Sequence, residues 1–66
     1  MELTVNGEKR TCEAGLTLEG FLKSQNVKPE SVVVEHNGKI IPFKEFGALC
    51  LQDGDELEVL RFMGGG

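Results

Sequence analysis

Sixty-six residues make one domain and leave no room for a second. A formal net charge of −4 argues against nucleic-acid binding, which needs a clustered basic surface, and no apolar run approaches the roughly 18 residues of a membrane span. The charge suits docking on a basic protein partner and equally suits plain solubility, while 39% hydrophobic residues make a small core attainable without staples.

Met1, Leu3 and Val5 alternate with Glu2, Thr4 and Asn6, the period-two pattern of a half-buried strand. Asn6-Gly7 then marks a tight hairpin, because a type I′ turn needs positive φ at both central residues. The returning strand, Glu8 to Cys12, is more polar and is expected at an edge. Glu13-Ala14-Gly15 breaks the pattern before a helix predicted over about Leu18 to Gln25. Thr17 is its N-cap, Glu19 suits the positive end of the helix dipole, and Leu16 and Phe21 have the spacing of a hydrophobic staple. Leu18, Phe21 and Leu22 form the stripe that faces a core. Gly20 costs about 1 kcal/mol relative to alanine in a helix, which suggests close helix–sheet packing at that point. Asn26 and Pro29 end the helix.

Val32-Val33-Val34 is continuous and β-branched, as in a strand inside a sheet. Asn37-Gly38 gives a second tight turn, Lys39-Ile40-Ile41 a short return, and Pro42 closes it by removing a ladder donor. Phe43 to Phe46 reads as one helical turn whose two aromatics cap the core, and Ala48 to Leu51 as a short strand or extended connector. Gln52-Asp53-Gly54-Asp55 is a turn with Gly54 free to take positive φ, so Asp53 and Asp55 are read as turn formers rather than an acid–base pair. In the last strand, Glu56 to Phe62, Leu57 and Val59 share one face with Arg61, while Leu60 and Phe62 lie on the other with Glu56 and Glu58. With the first set facing the helix, Leu60 and Phe62 form an outward docking patch unless the Phe43–Phe46 segment folds over them.

Cys12 and Cys50 form no C-x-x-C pair. No signal peptide is in view, so the chain reads as cytoplasmic with both thiols reduced and buried as small hydrophobes, a single disulfide being the alternative. Cys50, between Leu49 and Leu51, is expected to face away from their side. His36 and two dispersed cysteines do not supply four zinc ligands, so no metal site is expected, and His36 reads as a solvated strand-end residue. There is no Ser/His/Asp set and no phosphate-cradling loop opening a helix, which argues against an enzyme with catalytic residues of its own.

The chain finishes Arg61-Phe62-Met63-Gly64-Gly65-Gly66. Three glycines have no side chains to pack, but extended they span on the order of 10 Å and can enter a narrow cleft. The ordinary alternative is a frayed terminus. Residues 1–63 are thus read as the domain and residues 64–66 as a flexible glycine tail. Hairpin, helix, strand pair, short turn and final strand make an α+β order in which the helix must cover one face of a four- to five-stranded mixed sheet, the β-grasp arrangement.

The opening strand into Asn6-Gly7, Ala14-Gly15 with Thr17, Val34-Glu35-His36-Asn37-Gly38-Lys39-Ile40-Ile41-Pro42, Gln52-Asp53-Gly54-Asp55 and the final Gly-Gly together resemble the ThiS family of thiamine-biosynthesis sulfur carriers. The resemblance covers the entire chain and implies a ubiquitin-like fold with its first and last strands parallel and adjacent. It also implies that a ThiF-like partner uses Mg·ATP to adenylate the Gly66 carboxylate, and that a persulfide donor converts it to a thiocarboxylate. That thiocarboxylate would give its sulfur to a ThiG-like thiazole synthase. Gly64 and Gly65 would enter the partner's active site, and Leu60, Phe62 and Met63 would dock at its mouth. The carrier itself would bind no cofactor. Two other readings share these features: a β-grasp sulfur carrier similar to MoaD for molybdopterin, or for cysteine synthesis or tRNA thiolation, and a ubiquitin-like modifier that forms isopeptide bonds.

Overall fold

The computed structural model describes residues 1–62. Strands β1 (Glu2–Val5) and β2 (Glu8–Thr11) form an antiparallel hairpin with Val5 opposite Glu8. Asn6 and Gly7 take φ of 51° and 83°, the double left-handed turn that the Asn-Gly pair favours. All four β2 residues are exposed, in keeping with its place at the sheet edge.

Helix α1 spans Leu18–Ser24. Thr17 is extended, and its hydroxyl accepts the Gly20 N–H at 3.1 Å, which satisfies one of the helix's free amides. The helix stops one residue earlier than expected, because Asn26 turns left-handed at φ 60°. The Asn26 N–H then donates to the Lys23 carbonyl and the Val27 N–H to the Leu22 carbonyl, the paired bonds of a Schellman ending. Gly20 does not mark a close approach to the sheet. A Cβ there would meet the Thr17 hydroxyl at 3.4 Å and the Leu16 side chain at 3.5 Å, so the glycine lies beneath the N-cap.

A short 3-10 turn, Pro29–Ser31, leads into β3 (Val32–His36), which pairs with β4 (Lys39–Ile41) across Asn37 and Gly38, both at positive φ. A second 3-10 turn covers Phe43–Glu45. Here the two aromatics part: Phe46 is buried, whereas Phe43 is 60% exposed and meets Phe46 edge-on at 5.6 Å between ring centres. Residues three apart share one side of a 3-10 turn, so the rings lie together, with Phe46 in the core and Phe43 against its outer side. The connector that follows is extended: Cys50 bridges antiparallel to Thr17, with Leu18 N–H to the Leu49 carbonyl and Leu51 N–H to the Leu16 carbonyl. Leu51 is buried and Cys50 exposed, so Cys50 does face away, but it is no core residue. Cys12 is half-buried, and both thiols are free.

Strand β5 (Glu56–Arg61) closes the sheet, whose order is β2-β1-β5-β3-β4. β5 runs parallel to β1 and antiparallel to β3, so the first and last strands are adjacent, as the family resemblance implied. The helix covers one face. Leu3, Val34 and Leu57 from the three central strands pack with Leu18, Phe21 and Leu22 into a core from which water is almost excluded. Burying side chains of this size stabilises the fold by roughly 1.5–3 kcal/mol each before conformational entropy is charged against it.

Candidate functional site

Period-two alternation gives β5 two unlike faces. Leu57 is fully buried and Val59 half-buried against the core, while Leu60 and Phe62 are 58% and 56% exposed. The Phe62 N–H donates to the Ser31 carbonyl at 3.0 Å, so ladder pairing extends one residue beyond the strand and holds Phe62 beside Leu60 on the outward face. Across the sheet, Val33 lies opposite Leu60 and Glu35 opposite Glu58, with Ile40 of β4 opposite Glu35. Nothing folds over Leu60 and Phe62 among the described residues, and Phe43 stays exposed. The outer face thus has Leu60, Phe62 and Val33 where the chain leaves β5 and Glu35, Glu58 and Glu56 beyond them, with the exposed Ile40 beside Glu35 on β4. Met63, Gly64, Gly65 and Gly66, the other residues singled out from the sequence, lie outside the described residues.

What keeps β5 in place is a set of side-chain bonds that local pattern did not disclose. Asn6, read as a turn former, also clasps the central strand: its carbonyl oxygen accepts the Val59 N–H at 2.8 Å and its amide donates to the Val59 carbonyl at 3.3 Å. Asn37 does the same from the other side, accepting the Glu56 N–H at 2.8 Å while its own N–H donates to the Glu56 carbonyl at 2.8 Å. Both Asn-Gly turns therefore fasten β5 as well as reversing their own strands.

Asp55, just before β5, is buried and more than a turn former. Its carboxylate accepts from His36 Nε2 at 2.8 Å, from the Gln52 N–H at 2.9 Å and from the Asn37 amide at 3.1 Å. Burial alone would raise the Asp55 pKa. The hydrogen bonds from His36, Gln52 and Asn37, together with the charge of His36, outweigh it and hold the carboxyl below its ordinary value. An ionised carboxylate only accepts, so Nε2 of His36 carries the proton in this pair. His36 is therefore a half-buried partner of Asp55 and not the solvated strand-end residue that its position suggests. Asp53 accepts the Glu2 N–H at 2.6 Å and the Gly54 N–H donates to the Glu2 carbonyl at 2.8 Å, which fastens the same turn to β1.

Groups able to do chemistry are sparse. No cluster of three His, Cys, Asp or Glu side chains is placed to hold a metal among the described residues. A crevice of about 320 Å³ opens between the C-terminal end of α1 and the sheet, floored by Phe21, Leu22 and Val32 and rimmed by Arg10 and Arg61. Its described lining offers cations but no nucleophile or general base. No helix is long and apolar enough to cross a membrane among the described residues.

A five-stranded mixed sheet gripping one helix, with an exposed apolar patch where the last strand ends, defines a small ubiquitin-like β-grasp domain. Comparison with known proteins narrows the class. The ThiS family model matches residues 3–66. A thiamine biosynthesis protein (ThiS) from Geobacter metallireducens, solved by crystallography, shares 40% identity and superposes with a TM-score of 0.86, each chain covered in full. The chain is 44% identical over its 66 residues to a thiazole synthase of Magnetococcus marinus, of whose length it spans 20%. It is 24% identical to the sulfur carrier protein ThiS of Escherichia coli, over the whole of both. The chain belongs to the ThiS family.

Proposed function

We propose that this chain is a sulfur carrier of thiamine biosynthesis whose Gly66 carboxylate is converted to a thiocarboxylate. The observation that carries this reading is a family match that runs through the final glycines. A carboxylate is a poor acyl donor, because oxide is a poor leaving group. A ThiF-like partner solves this with Mg·ATP: a carboxylate oxygen attacks the α-phosphorus, pyrophosphate leaves and an acyl-adenylate forms. The terminal sulfur of a persulfide donor then attacks the acyl carbon and AMP leaves. A thiol cleaves the resulting acyl disulfide, which releases the thiocarboxylate and a disulfide.

Gly64 and Gly65 are proposed to enter the partner's cleft, because a backbone without Cβ atoms passes where side chains cannot. Leu60, Phe62 and Met63 dock at its mouth. A ThiG-like thiazole synthase receives the sulfur. The thiazole synthase relative, which includes a stretch similar to this chain within its own length, supports a synthase as recipient. The carrier binds no cofactor, and ATP and magnesium belong to the adenylating partner.

Intact mass spectrometry tests this after incubation with ATP, the adenylating enzyme and a persulfide donor. The expected result is exchange of one oxygen for one sulfur, mapped to Gly66. Adducts on protein lysines would overturn it in favour of a modifier. Removing Gly65 and Gly66 is expected to leave the melting temperature unchanged and to abolish the mass change.

A further inference from the structure

Helix α1 leaves part of the inner face of the sheet uncovered. Its seven residues span about 10 Å, whereas the six of β5 span about 20 Å. The crevice of about 320 Å³ lies where the helix stops, and Val27 and Val59 add to the apolar surface of Phe21, Leu22 and Val32 inside it. Register brings two arginines to its rim. Arg10 of β2 is paired with the fully buried Leu3, and Arg61 of β5 with the buried Val32, so both side chains start from the core side of their strands. The chain has eleven Asp and Glu against seven Lys and Arg, yet the described lining of the crevice holds two arginines and no carboxylate. Neither guanidinium is used up by the fold. Arg10 donates to Gln25 Oε1 at 3.0 Å, a neutral partner that keeps it over the crevice. Its approach to Glu8 is 3.8 Å with both side chains exposed, and such a surface pair contributes little. Arg61 joins none of the ion pairs formed among the described residues.

We propose that this crevice is a binding site for a small amphiphilic anion: a compact apolar ring or chain seated against Phe21, Val27 and Val59, with a carboxylate or phosphate head at the rim, where Arg10 and Arg61 supply the charge. Ligand sites pair a mainly apolar lining with a few placed polar groups, and about 320 Å³ is at the small end of their range. That volume takes a ring and its head group, whereas a helix of another protein, about 10 Å across with its side chains, is too wide for it. A guanidinium donates two parallel N–H bonds to a carboxylate or a phosphate, so either head fits the arginines. Recognition needs both halves of the ligand. An inorganic anion leaves the apolar lining in contact with water, and a neutral ring leaves the arginines without a counter-charge. The site is on the helix side of the sheet, opposite the face that carries Leu60 and Phe62, and it does not depend on the role proposed for Gly66.

The test titrates phenyl phosphate into the isotope-labelled protein and follows amide chemical shifts. A saturable change confined to the crevice is expected, led by Gln25, Val27, Val32 and Arg61, with a Kd of about 1 mM or tighter. Benzoate carries the same ring on the other head, and the tighter of the two identifies the head group. Inorganic phosphate and benzyl alcohol, which each hold half of the chemistry, should bind at least about tenfold more weakly. Arg10→Gln/Arg61→Gln should weaken phenyl phosphate about tenfold or more. Lys39→Gln/Lys44→Gln changes net charge equally at exposed positions away from the crevice, and should leave the Kd within about twofold. Val27→Phe, which fills the crevice and keeps both arginines, should abolish binding of the ring. Inorganic phosphate binding as tightly as phenyl phosphate would overturn the proposal, as would shifts scattered over the surface or equal losses in the two double variants. Arginine stems also shield apolar surface without binding anything. In that case the arginine variant would melt lower while no probe shifted the crevice amides of the unmodified protein, and the proposal would fall.

Discussion

The two faces of the sheet are built from alternate residues of the same strands, yet one is closed to water and the other open. Leu3, Val34 and Leu57 on the inner face lie at 0% exposure beneath the helix. On the outer face Leu60 and Phe62 stand more than half exposed among glutamates. A β-strand moves a side chain from one face to the other at every residue, so neighbours in sequence such as Val59 and Leu60 answer to different demands. Inner residues are expected to matter to stability, and outer ones to matter to binding.

The largest stability effect should come from the inner face. Leu57→Ala removes a fully buried side chain at the centre of the core, and a loss of about 2–5 kcal/mol is expected in denaturant unfolding. A much smaller loss would mean that the core closes over the gap. Next is the clasp at the start of β5. Asp55→Ala deletes an acceptor of three hydrogen bonds and should cost about 1–3 kcal/mol at neutral pH. The same carboxyl gives the acid dependence a sign. Its folded pKa lies below its unfolded value, so the ionised group stabilises the fold above about pH 4, the ordinary aspartate value. That contribution is lost as pH falls through the unfolded value and on to the depressed one. Urea midpoints measured from pH 7 down to pH 2 should therefore fall less steeply for Asp55→Ala than for the unmodified protein.

Thr17→Ala, which strips the helix of its N-cap bond, should cost about 1 kcal/mol, read as a lower melting temperature. Smallest of all is Phe62→Ala. Its stability should stay within about 0.5 kcal/mol, as for other exposed positions, whereas affinity for the adenylating enzyme should drop about tenfold or more, as for an interface anchor. A variant that melts far lower and binds unchanged would invert the assignment of the two faces.

Alternation and turn chemistry made most of the framework legible. Two Asn-Gly pairs mark both hairpins because few other dipeptides tolerate positive φ at both central positions, and Thr17 marks the start of the helix. The parity of Leu57, Val59, Leu60 and Phe62 separates buried from exposed positions in β5. What stayed hidden depends on contacts between distant parts of the chain. His36 and Asp55 meet across 19 residues, and Asn6 and Val59 across 53. No local periodicity encodes such pairings, so His36 looked solvated and Asn6 looked like a turn residue alone. The parallel pairing of β1 with β5 came from the family resemblance. For Phe43 and Phe46 the spacing puts both rings on one side of the turn, but only the distance of each from the core decides that Phe46 is buried and Phe43 is not. As for the candidate site, the exposed apolar residues could be read from strand parity, whereas the role proposed for Gly66 rests on composition and family likeness.

The most direct measurement is a single turnover of radiolabelled sulfur, with the thiocarboxylated carrier mixed with the thiazole synthase and its other substrates in the absence of ATP. Label is expected to leave Gly66 and appear in the thiazole product, while the carrier returns to the mass of its carboxylate form. Label that stays on the carrier, with a synthase shown to be active on another thiocarboxylate donor, would contradict a role as its sulfur source.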